Sequence, residues 1–369
     1  MKLILLQENL QHALNYIQKA IPSKAQLPIL SSIVISVTTN SCTLGATDLY
    51  FGVKVQLSAQ TDSSGTITVP GKEFKEIIGS LPAGEVTLEY VDSKLTITTG
   101  KTTCSIQCPD SSEYPQFPQV SGLETVLKIS DIDAIAATVL YSASLDQARP
   151  LLTGILFDCK PEGIRAVATD GFRLSVYDCP ANDQQQPIRF ILPVRAMVEV
   201  CRIALQLKSE TVTFTVSESL KQVFITFDTI EIYVRMLEGE YPPYEKIMPA
   251  TFTTEVLVAS DELLEQVKRA SIFSRESSNI IQIEVSDTTV IVKAHSTTLG
   301  SFSGETTTAK TTGPGLTIAF KSKYLLDFLQ ASKNNEIWIG LNDSLKPALL
   351  KTQQQPNLRY IVMPFRISG

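Results

Sequence analysis

A chain of 369 residues is longer than one hydrophobic core normally fills, and a third of that length is an ordinary domain. The 32 Lys and Arg are outnumbered by 38 Asp and Glu, a formal charge of −6, so the protein is acidic as a whole. No run of 18 apolar residues occurs, and MKLILLQENL has too short an apolar stretch for a signal peptide, so a soluble, cytoplasmic protein is expected.

The first unit begins with a strand-like stretch and an amphipathic helix from Glu8 to Ile21. There Leu10, Ala13, Leu14, Ile17 and Ile21 form one apolar stripe. Ala46-Thr47-Asp48 precedes an alternation of Phe51, Val53 and Val55, a second helix starts near Gly71, and a strand pair opens at Glu85-Val86-Thr87-Leu88. Glu113-Tyr114-Pro115 closes the unit.

The same series then returns. A helix is expected over Ser130 to Ser142, and Ala168-Thr169-Asp170 precedes Phe172, Leu174 and Val176. A helix from near Pro193 carries Val194, Met197, Val198, Cys201 and Leu205 as its stripe, Thr211-Val212-Thr213-Phe214 opens a strand pair, and Glu240-Tyr241-Pro242 ends the unit. The third pass has a helix over Ser260 to Ser274, another from near Lys321, and a strand at Glu336-Ile337-Trp338-Ile339, but it lacks the Ala-Thr-Asp element and ends in YIVMPFRIS. A period of about 120 to 130 residues, marked by so many landmarks in one order, makes three repeated domains. Linkers are expected near Gln119 to Glu124 and Pro249 to Thr254, which gives domains 1–121, 122–250 and 251–369. Ser130 and Ser260 are expected to cap their helices, with Asp133, Asp261 and Glu262 favouring the positive helix end.

Basic residues gather on the helices and their flanks. Lys19, Lys208 and Lys333 lie at helix C-termini, where the helix dipole accounts for them equally well. Lys72, Arg195 and Lys321 stand near helix starts, where the dipole disfavours a cation; contact with a polyanion explains that recurrence. The helix over Ser130 to Ser142 has no basic residue, and Arg149 follows it.

Catalytic chemistry is hard to find. His12 falls on the polar side of a helix and His295 on a strand, neither with partners at metal-ligand spacing, and no phosphate-binding, dinucleotide, nucleophile-elbow or zinc-protease motif occurs. Asp48 and Asp170 fit matching Asx-turns rather than paired acids. Cysteines 42, 104, 108, 159, 179 and 201 show no CxxC spacing and are expected to be reduced core residues. No cofactor or metal is expected, and no enzyme activity.

Four segments carry a family resemblance: Leu27-Pro28-Ile29-Leu30, Thr169-Asp170-Gly171-Phe172-Arg173-Leu174, Tyr241-Pro242-Pro243-Tyr244 ahead of Ile247-Met248-Pro249, and the tail Tyr360-Ile361-Val362-Met363-Pro364-Phe365-Arg366. In their order and their places in the repeat they resemble the bacterial sliding clamps, the beta subunits of DNA polymerase III, over the whole chain. The resemblance implies an α+β fold of three clamp-type domains, each with two helices on antiparallel sheets, and a head-to-tail homodimer whose helices line a hole around duplex DNA. It assigns DNA contact to Lys24, Lys72, Arg149, Arg195, Arg202, Arg275 and Lys321, with Lys24 and Arg202 foremost.

It further implies a dimer interface between Thr103 to Cys108 of one chain and Ser271 to Ser274 of the other, with Cys104, Ile106, Ile272 and Phe273 in contact. A pocket for partner peptides falls on Leu152, Thr169, Gly171, Phe172, Arg173, Leu174, Pro242, Lys246, Ile247, Tyr324, Leu345, Pro347, Ile361, Met363 and Phe365. The partners implied are the DNA polymerase III catalytic subunit, the clamp-loader complex, other polymerases, ligase and mismatch-repair proteins, with no membrane and a cytoplasmic, nucleoid-associated location. Two rival classes stay open on the residues alone: an enzyme built on Asp48, Asp170 and Arg173, and a scaffold that binds no DNA.

Overall fold

The computed structural model describes residues 1–180, 187–207, 209–287 and 289–366; Lys208 lies outside them. Six α-helices occur among the described residues, two per repeat: α1 (Gln7–Ile17), α2 (Gly71–Ser80), α3 (Ile129–Thr138), α4 (Val194–Gln206), α5 (Ser260–Phe273) and α6 (Ser322–Ala331). Each follows a strand without an intervening loop, so an extended residue hands directly over to the first turn. That handover overturns the expected serine caps. The residue before α5 is Ala259, with no side-chain cap, and Ser260 is already helical, its hydroxyl donating to the Leu329 carbonyl at 3.3 Å. Ser130 likewise sits inside α3, which starts at Ile129. Leu6, Pro70 and Lys321, ahead of α1, α2 and α6, make no capping bond either.

In α1 the expected stripe is realised as far as Ile17: Leu10, Ala13, Leu14 and Ile17 are buried, each large side chain worth about 1.5–3 kcal/mol, whereas the helix gives way to a tighter turn and Ile21 lies beyond it, extended and half-buried. In α4 the stripe is shifted by one residue. Met197, Val200, Cys201 and Ala204 follow i, i+3, i+4, i+7 and are buried, whereas Val198 is 37% and Leu205 51% exposed. The apolar count on that helix exceeds one stripe. The small Ala196 and Ala204 take core positions, which leaves two larger residues outside.

The three repeats are distributed over two compact units, Met1–Ser130 with Arg195–Met236 and Asp131–Val194 with Leu237–Gly369. The sheets explain why. In the first unit an eight-stranded antiparallel sheet joins Phe51–Ser58 of the first repeat to Ile230–Arg235 of the second, with Val53 opposite Ile232. In the second unit a nine-stranded antiparallel sheet joins Arg173–Pro180 of the second repeat to Leu358–Val362 of the third, with Leu174 opposite Ile361.

Each unit also has a smaller antiparallel sheet that ends on an open strand. The five-stranded sheet of the first unit ends on Thr102–Gln107, and the four-stranded sheet of the second ends on Gly300–Thr306. Helix α1 packs on Phe51–Ser58 and against α2, while α5 packs against α6 and on Val290–Ser296 and Gly300–Thr306.

All six cysteines are free; Cys104 is half-exposed and the other five are buried. Burial pushes the Cys42 thiol up to about 12, which marks it as an inert core residue. His12 and His295 are exposed, on α1 and on the strand Val290–Ser296.

Candidate functional site

The Ala-Thr-Asp element folds identically in its two copies. Asp48 Oδ1 accepts from the backbone N–H groups of Tyr50 (2.9 Å) and Phe51 (2.7 Å), and Asp170 Oδ1 from those of Phe172 (2.9 Å) and Arg173 (3.0 Å). The preceding threonines repeat as well. Thr47 Oγ1 accepts from Leu49 N–H and donates to the Phe51 carbonyl; Thr169 Oγ1 accepts from Gly171 N–H and donates to the Arg173 carbonyl. These are Asx-turns, so both aspartates serve backbone geometry. The enzyme reading loses its two acids, and among the described residues no group of three His, Cys, Asp or Glu could hold a metal.

The central copy carries Arg173, whose side chain is 5% exposed. Its guanidinium donates to Asp170 Oδ2 at 3.1 Å, to Asp327 Oδ2 on α6 at 2.5 Å and to the Tyr141 carbonyl, and lies 4.8 Å from the Tyr324 ring centroid and 5.6 Å from that of Tyr141. Burial works against the charge, and nearby Tyr360, Asp327 and Asp170 outweigh it, holding Arg173 above its usual value. Arg173 therefore ties the turn to α6 from below instead of standing free at a surface.

Around that anchor most of the expected pocket residues come together in one unit. The strand Leu358–Val362 pairs with Arg173–Pro180, and Met363 N–H then donates to the Phe172 carbonyl at 2.8 Å. Phe365 N–H donates to the Ala319 carbonyl at 2.8 Å, and the Phe365 ring stacks on Phe172 at 5.9 Å. Phe172 is 44% exposed, Ile247 41% and Leu345 57%, Pro242 and Lys246 are exposed, and Met363, Phe365 and Pro347 are half-buried. Such a surface of exposed apolar side chains suits an apolar ligand.

Leu152, Thr169 and Tyr324 are buried beneath it. Leu174 and Ile361 are fully buried in the cluster that includes Leu156, Val176, Tyr241 and Leu349, so they form a floor and not a lining.

The basic residues divide. Lys24, Lys72, Arg195 and Arg275 are exposed. Arg202 is also exposed, but it is held by Glu199 at 2.8 Å, which offsets its charge. Arg149 pairs loosely with Asp146 at 3.9 Å, and its guanidinium lies over Gly171, so it borders the aromatic surface just described.

Lys321 is half-buried, with its ammonium 5.6 Å from the Tyr324 ring centroid. It also sits one residue before α6, whereas Lys72 and Arg195 are each the second residue of their helices. The true counterpart of those two is Lys323, which pairs with Asp327 at 3.0 Å. Aligning the strand ends Pro70, Pro193 and Lys321 would have revealed this from sequence; nothing in the sequence announces Asp327 or Tyr141.

At the expected interface, Thr102–Gln107 is an open sheet edge carrying half-exposed Cys104 and Ile106. Ile272 is 46% exposed, while Phe273 is half-buried and stacks on Phe302 at 6.0 Å within its own chain. The edge strand beside these two residues is Gly300–Thr306, which the sequence reading did not single out.

Comparison with known proteins assigns the arrangement. Family models of the DNA polymerase III beta subunit match in three consecutive blocks: the N-terminal domain over residues 1–118, the central domain over 127–243 and the C-terminal domain over 245–366. A beta sliding clamp of Synechocystis is 28% identical over 394 residues, covering 100% of both chains, and one of Staphylococcus epidermidis is 27% identical over 364 residues, covering 96% of each. The crystal structure of the beta subunit from the DNA polymerase of Streptococcus pyogenes superposes with a TM-score of 0.94 at 26% identity, and that of Thermotoga maritima with 0.90 at 26%, each covering 100% of both chains.

Proposed function

Since the chain belongs to the DNA polymerase III beta-subunit family from end to end, we propose that it is a sliding clamp, a non-catalytic subunit that encircles duplex DNA and tethers the replicative polymerase for processive synthesis. The observation that carries this reading is the pattern of sheets. Two of them run on from one repeat into the next, and each unit keeps one smaller sheet with an unpaired edge, Thr102–Gln107 in the first and Gly300–Thr306 in the second. Unpaired edges invite pairing with another chain. A head-to-tail homodimer joining Thr102–Gln107 of one copy to Gly300–Thr306 of the other closes both, with Cys104, Ile106, Ile272 and Phe273 at the seam.

DNA contact falls to Lys24, Lys72, Arg149, Arg195, Arg202, Arg275 and Lys321, among which Lys24, Lys72, Arg195 and Arg275, exposed and without an ion pair among the described residues, carry most weight. Phosphate contacts by flexible Lys and Arg read no base sequence, and closure around the duplex retains it even when each contact is weak.

Partner proteins bind as short peptides on the surface around Phe172, Ile247, Leu345, Met363 and Phe365, over the floor of Leu174 and Ile361. The proposed partners sharing it are the DNA polymerase III catalytic subunit, the clamp loader, other polymerases, ligase and mismatch-repair proteins, and the proposed location is the cytoplasm, at the nucleoid. The domains run 1–121, 122–250 and 251–369. The test is topological: protein loaded on a nicked circular plasmid stays with it through gel filtration and is released when one restriction cut linearises the DNA. Equal loss from circle and linear form would overturn the reading.

A further inference from the structure

Strand register lets the outer faces of the first two repeats be compared residue by residue. In the central repeat the cross-strand row Leu156, Val167 and Val176 is buried in one cluster with Tyr241 and Tyr244. The same row in the first repeat is Val34, Gly45 and Lys54, and Tyr114 and Phe117 take the places of the two tyrosines. Each member of the row has become smaller or polar, so the cover no longer closes. Phe117 leans into the notch at Gly45, where a Cβ would lie 2.7 Å from its Cζ, and meets Tyr233 edge-on at 5.8 Å. Lys54 passes 5.7 Å from the Phe117 ring centroid and pairs with Glu231. What is left is an open concavity of about 590 Å³, with Val34 and the aromatic rings inside and hydroxyls of Ser36, Thr43 and Thr66 among its walls.

We propose that this concavity is a second peptide-docking site, one that takes a leucine-sized aliphatic side chain next to an acidic residue. The aliphatic preference follows from complementation: the ligand supplies the carbon that Leu156, Val167 and Val176 supply in the central repeat. An open concavity with apolar atoms in its lining favours a ligand that covers them and displaces water. The acidic preference follows from Lys54, whose side chain is 25% exposed at the wall and able to meet a second carboxylate besides Glu231. Every lining residue lies in the first repeat, so this site is independent of the peptide surface around Phe172 and Met363.

The test is methyl NMR on the full-length protein, titrated with the blocked dipeptide acetyl-Leu-Asp-amide and read at Val34. A saturable Val34 shift is expected. Affinity should fall at least about tenfold, or 1.4 kcal/mol, in Thr43→Trp and in Ser36→Tyr, two substitutions that fill the mouth from half-exposed strand positions. Acetyl-Leu-Asn-amide should bind several-fold more weakly. No saturable shift up to the solubility limit, unchanged affinity in a filled variant that retains the wild-type spectrum elsewhere, or equal affinity for the Asn dipeptide would each overturn the proposal.

Discussion

Replacing Arg173 separates a structural anchor from a surface contact. Its side chain is 5% exposed, and its two carboxylate partners, Asp170 and Asp327, are 16% and 18% exposed. Arg173→Ala strands both. Breaking a buried pair by deleting one member costs about 3–5 kcal/mol, and the lost stacking on Tyr324 adds about 1 kcal/mol. Lys323 stays 3.0 Å from Asp327 and takes over part of the compensation, so the low end of that sum, about 4 kcal/mol, is the expected loss. Trp338, the single tryptophan, lies in the nine-stranded sheet of the same unit and reports its unfolding in urea. A double-mutant cycle with Asp327→Ala should give a coupling of about 1–3 kcal/mol. Arg173→Lys keeps a charge but cannot reach the turn, α6 and the Tyr141 carbonyl at once, and should recover less than half of the loss. A loss below about 1 kcal/mol, or no coupling to Asp327, would show that Arg173 is free and refute the anchor.

Three further outcomes are expected. Iodoacetamide at pH 8 should modify Cys104 well before the five buried thiols, and more slowly as protein concentration rises if its edge pairs with a second chain; a concentration-independent rate would remove that edge from the interface. Glu276 is held down to about 2 by hydroxyls of Ser296 and Thr298, so the contact stabilises the fold above the ordinary carboxylate value near 4.5 and is lost as pH falls toward 2; a carboxyl NMR titration centred near 4.5 would contradict it. Leu49 has φ +78° where the central repeat has Gly171 at φ +91°, so Leu49→Gly should be more stable than Leu49→Ala by about 1 kcal/mol in thermal unfolding, the reverse of the order in ordinary backbone.

What was legible in the sequence was local. The α1 stripe, both Asx-turns and each single landmark of the three-fold recurrence depend on residues within about ten positions of each other, and periodicity or turn chemistry reports those directly. The α4 stripe misled because that helix carries more apolar residues than one face holds, and its alanines, which look neutral in a sequence, take core positions. The long-range partners gave no signal. Arg173 and Asp170 are three apart and could be paired by eye, but Asp327 joins them from 154 residues away, through strand pairing that brings the third repeat against the second.

The basic residues show the same limit in a sharper form. Lys72, Arg195 and Lys321 looked equivalent because each stands near a helix start, yet Lys321 falls two residues earlier relative to its helix, which makes Lys323 the counterpart and turns Lys321 toward Tyr324. Lys321 is extended and belongs to the strand end, whereas Lys323 is helical, and that difference decides whether the cation meets a ring or stands on the helix surface. Sequence can therefore mark a basic face by its composition, while the choice of which lysine stands out from that face is made by register. In this chain that register is set at Pro70, Pro193 and Lys321, the last strand residues before the second helix of each repeat.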